Sequence, residues 1–258
     1  MSRIVAGLLF ALTMFGESQA HAQPNRPTIV LVHGAFADGS SWNRIIKALE
    51  DDGYPVVAVA NPLRSVRGDA EYVSAIISGI ASPVVLVGHS YGGSVISGAA
   101  NGHRNVRALV FVSAFAPEEG ETAAGLSGRF PGSTLGPALA PPVALPGGGA
   151  DLYVQRARFH EQFAADVPGA VARLMAAAQR PVTEAALNEQ SGEAAWRSIP
   201  SWFIYGDSDR NIPPQAMAFM AERAHSRRTV VIRGASHVPM VSHPRAVVEI
   251  IESAATAE

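Results

Sequence analysis

Six short runs of this chain are apolar almost without interruption: 28–32 (TIVLV), 56–60 (VVAVA), 84–87 (VVLV), 108–112 (ALVFV), 201–205 (SWFIY) and 229–232 (TVVI). An alternating apolar–polar pattern describes a strand with one wet face. A continuous run describes a strand covered on both faces, the pattern of a parallel sheet between helical layers. Helical patterns fill the intervals. Ile45, Ile46 and Leu49 mark one face within 42–50, and Tyr72, Val73, Ile76, Ile77 and Ile80 mark a stripe within 69–80. Small residues dominate 92–100, and further helices are expected over 214–224 and 244–255. Six strands alternating with helices predict an α/β fold with a doubly wound, mostly parallel sheet.

The rhythm breaks between 117 and 197. Residues 131–149 hold five prolines and five glycines, a loop by composition. Segments 151–165, 170–179 and 183–189 then read as helices with no strand between them. A structureless connection of about 80 residues is improbable in a compact domain. The expectation is therefore a helical cap inserted between two strands of the sheet, at about 117–197.

Residues 1–22 (MSRIVAGLLFALTMFGESQAHA) have the three-part layout of an export signal: Arg3, an apolar run from Ile4 to Phe15, then Ala20-His21-Ala22. The run is too short to span a ~30 Å hydrocarbon core. The expectation is a signal peptide over 1–22, a domain over 23–258, a periplasmic or secreted location and no stable membrane insertion. The chain has no cysteine, which excludes a disulfide, a thiolate nucleophile and Cys-ligated metal centres. Its 20 basic and 22 acidic residues leave no excess positive charge for nucleic acid. Lys47 is the only lysine, so Schiff-base chemistry has a single candidate.

The chemistry centres on Gly88-His89-Ser90-Tyr91-Gly92-Gly93, which follows the run 84–87 and precedes a helix. This is G-x-S-x-G in the strand–turn–helix context that makes it meaningful. A sharp turn holds the serine hydroxyl above the sheet, and Gly88 and Gly92 flank it because side chains there would collide across the turn. Ser90 is thus the expected nucleophile, with Gly88, His89 and Gly92 forming its elbow. The helix that follows favours negative charge at its start.

A serine needs a base. Among eight histidines, His237 lies in Gly234-Ala235-Ser236-His237, the loop after the last strand, where it reaches the same sheet edge as Ser90. His243 begins the last helix and is the weaker candidate. The base needs an acid to fix its tautomer, and Gly206-Asp207-Ser208-Asp209 after the fifth strand offers two, Asp207 and Asp209. The backbone N–H groups of Tyr91 and Ala35 are the expected oxyanion donors, with Gly34 letting the first-strand loop turn inward. The histidines show neither H-x-x-x-H nor H-E-x-x-H spacing, so no metal is expected.

With HGAFADGSSW (33–42), GHSYGG (88–93), GDSDRNIPP (206–214) and GASH (234–237) in this order, the chain resembles the α/β-hydrolase superfamily from residue 23 onward. The resemblance implies an acid three residues after the turn glycine, which selects Asp209 over Asp207. It also implies a helical cap between the strand after the elbow helix and the strand leading to the acid. The compact layout is similar to the branch holding plant methyl-ester esterases, hydroxynitrile lyases and small bacterial esterases. Relatives that are dehalogenases or epoxide hydrolases use an aspartate nucleophile, which Ser90 excludes. Plant hydroxynitrile lyases carry Thr and Lys where this chain has Gly34 and Val238, so the lyase residues are missing.

The expected activity is hydrolysis of carboxylic esters of small to medium hydrophobic substrates through Ser90, His237 and Asp209, with no cofactor. The partner is a small-molecule ester. Alternatives are a cofactor-free perhydrolase or lactonase, or a ligand-binding sensor on the same fold.

Overall fold

The computed structural model describes residues 26–257. The expected signal peptide, 1–22, lies outside the described residues. The first half runs β1 (Thr28–Val32), α1 (Asn43–Asp51), β2 (Val56–Val59), α2 (Val66–Ser78), β3 (Val84–His89), α3 (Tyr91–Ala99) and β4 (Val106–Val112). Next come α4 (Ala123–Gly128), α5 (Leu135–Ala138), β5 (Val143–Ala144), β6 (Ala150–Leu152), α6 (Arg156–Phe163), α7 (Gly169–Ala178), β7 (Val182–Thr183) and α8 (Glu184–Asn188). The chain then returns through β8 (Ser201–Gly206), α9 (Pro214–Arg223), β9 (Arg228–Ile232), α10 (Pro239–Ser242) and α11 (Pro244–Ala255).

The main sheet has six strands in the order β2-β1-β3-β4-β8-β9, and every neighbouring pair is parallel. Each apolar run is a strand of this sheet. The four central strands are covered by helices on both faces. α1 and α11 pack together on one side, where α11 crosses β3, β4 and β8; α2 and α3 pack together on the other. The edge strands depart from the expectation of two buried faces. Ala58 of β2 and Val231 of β9 are exposed, because an edge strand has one neighbour and its outer face is only half covered.

The helices start close to where the pattern places them. α2 starts three residues earlier than expected, because the Ser65 hydroxyl accepts from the Gly68 N–H at 2.9 Å and caps it there. The segment between β4 and β8 corrects the sequence reading. It contains helices, but also a three-stranded antiparallel sheet, β5-β6-β7. The helix expected from 151 starts at Arg156, and Asp151 lies in β6 with its carboxylate 2.7 Å from Arg64 Nη1. Strands of two or three residues are too short to imprint a period of two on the sequence.

The strand order reverses between β1 and β3: from β1 the chain goes outward to β2, then crosses back to β3. The carboxyl ends of β1 and β3 therefore flank a topological switch point, where an open α/β sheet leaves a crevice. Val32 of β1 stands level with Gly88 of β3, so the loop at His33–Phe36 emerges beside Ser90.

Candidate active site

Ser90 sits between β3 and α3 with φ 54° and ψ −124°, a backbone conformation that L residues rarely adopt. The turn is held from several sides. The Ser90 N–H donates to Val112 O at 3.2 Å, and its carbonyl accepts from Gly93 N at 3.0 Å and Phe115 N at 3.1 Å. A Cβ at Gly88 would lie 2.6 Å from Gly92 O, and one at Gly92 would collide with Val32 O. Both glycines are thus fixed by close backbone approach, as the motif requires.

His237 and Asp209 meet in the interior. His237 Nδ1 donates to Asp209 Oδ2 at 2.7 Å, and both side chains are fully covered. The other carboxylate oxygen, Oδ1, accepts the backbone N–H groups of Asn211 at 2.8 Å and Ile212 at 3.0 Å. Three donors fix this carboxylate, and Nε2 is the His237 ring nitrogen left outside the pair. Ser90 and His237 line the same cavity, of about 330 Å³. The Ser90 hydroxyl makes no side-chain hydrogen bond among the described residues.

The rival acid and base are placed elsewhere. Asp207 is exposed, and its Oδ1 accepts the Gly234 N–H at 2.7 Å, a turn-forming contact. His243 Nε2 lies 3.2 Å from Asp166 Oδ2. His33 and His89 are buried neighbours of the site. His89 Nε2 donates to the carbonyl of His237 at 3.0 Å, so the elbow histidine holds the loop of the candidate base. Burial first, and then the nearby His237, push the His89 imidazole well below its ordinary pKa; burial also lowers that of His33.

Ala35 and Tyr91 both line the cavity. Tyr91 opens α3, so its N–H has no intrahelical acceptor. The Ala35 N–H has no backbone partner among the described residues, whereas the next donor, Phe36 N–H, is taken by Arg180 O at 3.0 Å. Tyr91 has a second role: its hydroxyl donates to buried Asp69 Oδ2 at 2.9 Å and ties α3 to α2. Burial raises the pKa of the Asp69 carboxyl despite that bond and the Arg64 N–H.

The cavity wall is mostly apolar, with Phe36, Phe115, Leu135, Leu139, Leu187 and Ile212, and polar only at Ser90, Tyr91, Ser127, Ser133, Asn211 and His237; among the described residues it carries no Asp, Glu, Lys or Arg. Among the described residues, no group of three His, Asp or Glu is placed to hold a metal ion.

The sequence profile of the alpha/beta hydrolase family matches residues 29–250. The chain belongs to that family. This alpha/beta hydrolase is 27% identical over 264 aligned residues to the pimeloyl-[acyl-carrier protein] methyl ester esterase of Aeromonas hydrophila subsp. hydrophila, covering 88% of this chain and 94% of that protein. Its fold matches the crystal structure of polyneuridine aldehyde esterase with a TM-score of 0.76, at 20% identity, over 88% of this chain and 98% of that one. A pyrethroid hydrolase from Sphingobium faniae JZ-2 matches with a TM-score of 0.70, at 22% identity, over 90% and 98%.

Two contributors to the site were not singled out from the alpha/beta hydrolase sequence. Gln162 and Asp166 lie in the segment between β4 and β8, yet each bonds to a loop that carries a candidate catalytic group. No motif marks either position.

Proposed function

We propose that this alpha/beta hydrolase cleaves carboxylic esters with Ser90 as nucleophile, His237 as base and Asp209 as the acid that orients it. The observation that carries the reading is the buried 2.7 Å His237–Asp209 bond opening onto the cavity that holds the strained Ser90. His237 Nε2 takes the serine proton, and Ser90 Oγ attacks the acyl carbon. The developing oxyanion is met by the N–H groups of Ala35 and Tyr91, each worth about 3 kcal/mol in such sites. The protonated imidazole then gives its proton to the leaving alkoxide, and water repeats the sequence on the acyl-enzyme.

The absence of charged side chains in the cavity wall favours a neutral, hydrophobic ester over one bearing a carboxylate near the reacting bond. The named esterase relative supports the same class of chemistry. Gly34 weighs against the lyase alternative. A Cβ there would lie 2.6 Å from both His89 O and Ser90 Cβ, so this backbone has no room for the threonine of plant lyases.

The test uses p-nitrophenyl acetate and a fluorophosphonate probe. Wild type turns over the ester and is labelled at Ser90, while Ser90→Ala loses labelling and at least about 10⁴-fold in kcat. Retained turnover in Ser90→Ala would overturn the assignment.

A further inference from the structure

The last turn of α6 and the residues just after it reach the loops of the proposed catalytic acid and base at three residues. Gln162 is buried in the cap, yet its Nε2 donates to Arg210 O at 2.8 Å and to Asn211 Oδ1 at 2.8 Å. Its own Oε1 accepts from Thr134 Oγ1 at 2.8 Å, which fixes the amide the right way round. Arg210 and Asn211 directly follow Asp209, and the Asn211 N–H is one of the two donors to Asp209 Oδ1. Phe163, the next residue, sets its ring edge-on to His237 with centroids 5.0 Å apart. Three residues further, Asp166 Oδ1 accepts the hydroxyl of Ser236, the neighbour of His237 in the chain.

The acid loop and the base loop leave different strands, β8 and β9. These strands are neighbours, and the loops meet at their bases, where the Ser208 N–H donates to Ala235 O at 3.2 Å and the Gly234 N–H to Asp207 Oδ1 at 2.7 Å. One short piece of cap bonds to both.

We infer that Gln162 and Asp166 are positioning residues: Gln162 acts on Asp209 through the 210–211 peptide, and Asp166 acts on His237 through Ser236. The inference rests on the hydrolase reading above. This part of the cap is then a strap across the two loops. Removing the Gln162 amide leaves Arg210 O with the Thr134 N–H alone, at 2.9 Å, and strips the donor from buried Asn211 Oδ1, so the turn relaxes until that oxygen is satisfied. The Asn211 N–H moves with that turn, and the carboxylate it holds moves off the His237 Nδ1 axis. A residue that merely walls the pocket affects substrate binding, whereas a positioning residue affects the chemical step. Displacement of a catalytic group by about 1 Å from a remote change costs up to ~10²-fold.

The experiment compares Gln162→Met, Asp166→Ala and Asp166→Asn with wild type in the full chain, on p-nitrophenyl butyrate. Proton NMR of the downfield His237 Nδ1–H resonance is recorded alongside. Gln162→Met keeps the volume and loses the amide. The expected result is a kcat lower by about ten- to a hundred-fold, with KM within about twofold and the resonance shifted or broadened. Asp166→Asn keeps an oxygen for the Ser236 hydroxyl and regains most of what Asp166→Ala loses.

Unchanged kcat and an unchanged resonance in both Gln162→Met and Asp166→Ala overturn the inference. So does a rise in KM with kcat intact, the mark of a pocket wall. If Gln162→Met does not fold, the Asp166 pair decides by the same criteria. The resonance does not depend on turnover, and Ser90→Ala retains it. A wild type that neither hydrolyses ester nor takes the probe defeats the hydrolase reading, and the resonance still tests the strap.

Discussion

At Ser90 the backbone is held where few residues rest, and what holds it is contact with other backbone. Gly34 is one of the close neighbours on the β1 side. A Cβ there meets Ser90 Cβ and His89 O, both at 2.6 Å, and neither can rotate away. Gly34→Ala therefore moves the Ala35 N–H and the elbow apart. The expected outcome is a kcat/KM lower by about 10²-fold, the scale of one lost oxyanion donor, with stability lowered as well. Ester kinetics with thermal unfolding checks it, and full activity in the Gly34→Ala enzyme would contradict the close approach. The placement of Ser90 and His237 at one cavity was legible from the chain because each occupies a loop whose place on the sheet follows from the strand before it. Asp209 was not separable from Asp207 by spacing alone. The resemblance selected it, and the structure gives the physical difference: Asp209 is buried under three donors, while Asp207 faces solvent and shapes a turn. Gln162 had no sequence signal, because a glutamine on a helix looks alike whether it meets water or a buried turn.

Among the elements, the main sheet was readable, and so were the helices α6, α7 and α8 of the inserted segment, but its short strands were not. An unbroken apolar run identifies a strand, but β5 and β7 have two residues each and derive their pairing from tertiary contact. The joint between β7 and α8 shows how such short pieces are secured. Thr183 Oγ1 donates to Arg64 O at 2.7 Å and accepts from the Ala186 N–H at 3.1 Å, capping α8 and tying the cap to the loop before α2. Thr183→Ala loses both bonds and is expected to cost about 1–2 kcal/mol. In a domain of this size that lowers Tm by about 2–8 °C. Thr183→Ser restores most of it, and calorimetry of the two variants separates the hydroxyl from the lost methyl group.

Across the whole molecule, acid sensitivity follows from two histidines buried without charge. His33 and His89 are both fully covered, and burial lowers the pKa of each. Below the ordinary histidine value of about 6.5 the unfolded chain binds protons at these positions and the folded chain does not. Stability is then present above that value and is lost as pH falls through it, by up to about 1.4 kcal/mol per pH unit for each group. Asp69 works in the opposite sense, since burial makes its folded carboxyl hold a proton more tightly. Urea unfolding at pH 7 and pH 5.5 should give the lower midpoint in acid, and His33→Gln should flatten the difference. Equal midpoints for wild type would contradict the assignment of both imidazoles as neutral.

The bonds from α6 to the acid and base loops also bear on how such molecules diversify. If two of the three proposed catalytic groups are aligned from above the sheet, the cap is not an interchangeable part that can be traded to change substrate. A chimera that grafts another relative's cap onto this sheet inherits a pocket but loses the alignment, unless the graft supplies an amide at 162 and an oxygen acceptor at 166. Variation in substrate choice is then free mainly in α8, which lines the cavity through Leu187, because α4 bonds to the acid loop through Ser127 Oγ and Asn211 O at 3.2 Å and the N–H of Thr134, at the start of α5, donates to Arg210 O at 2.9 Å. Selection on what the enzyme accepts and selection on how fast it works would act on separate stretches of one insertion.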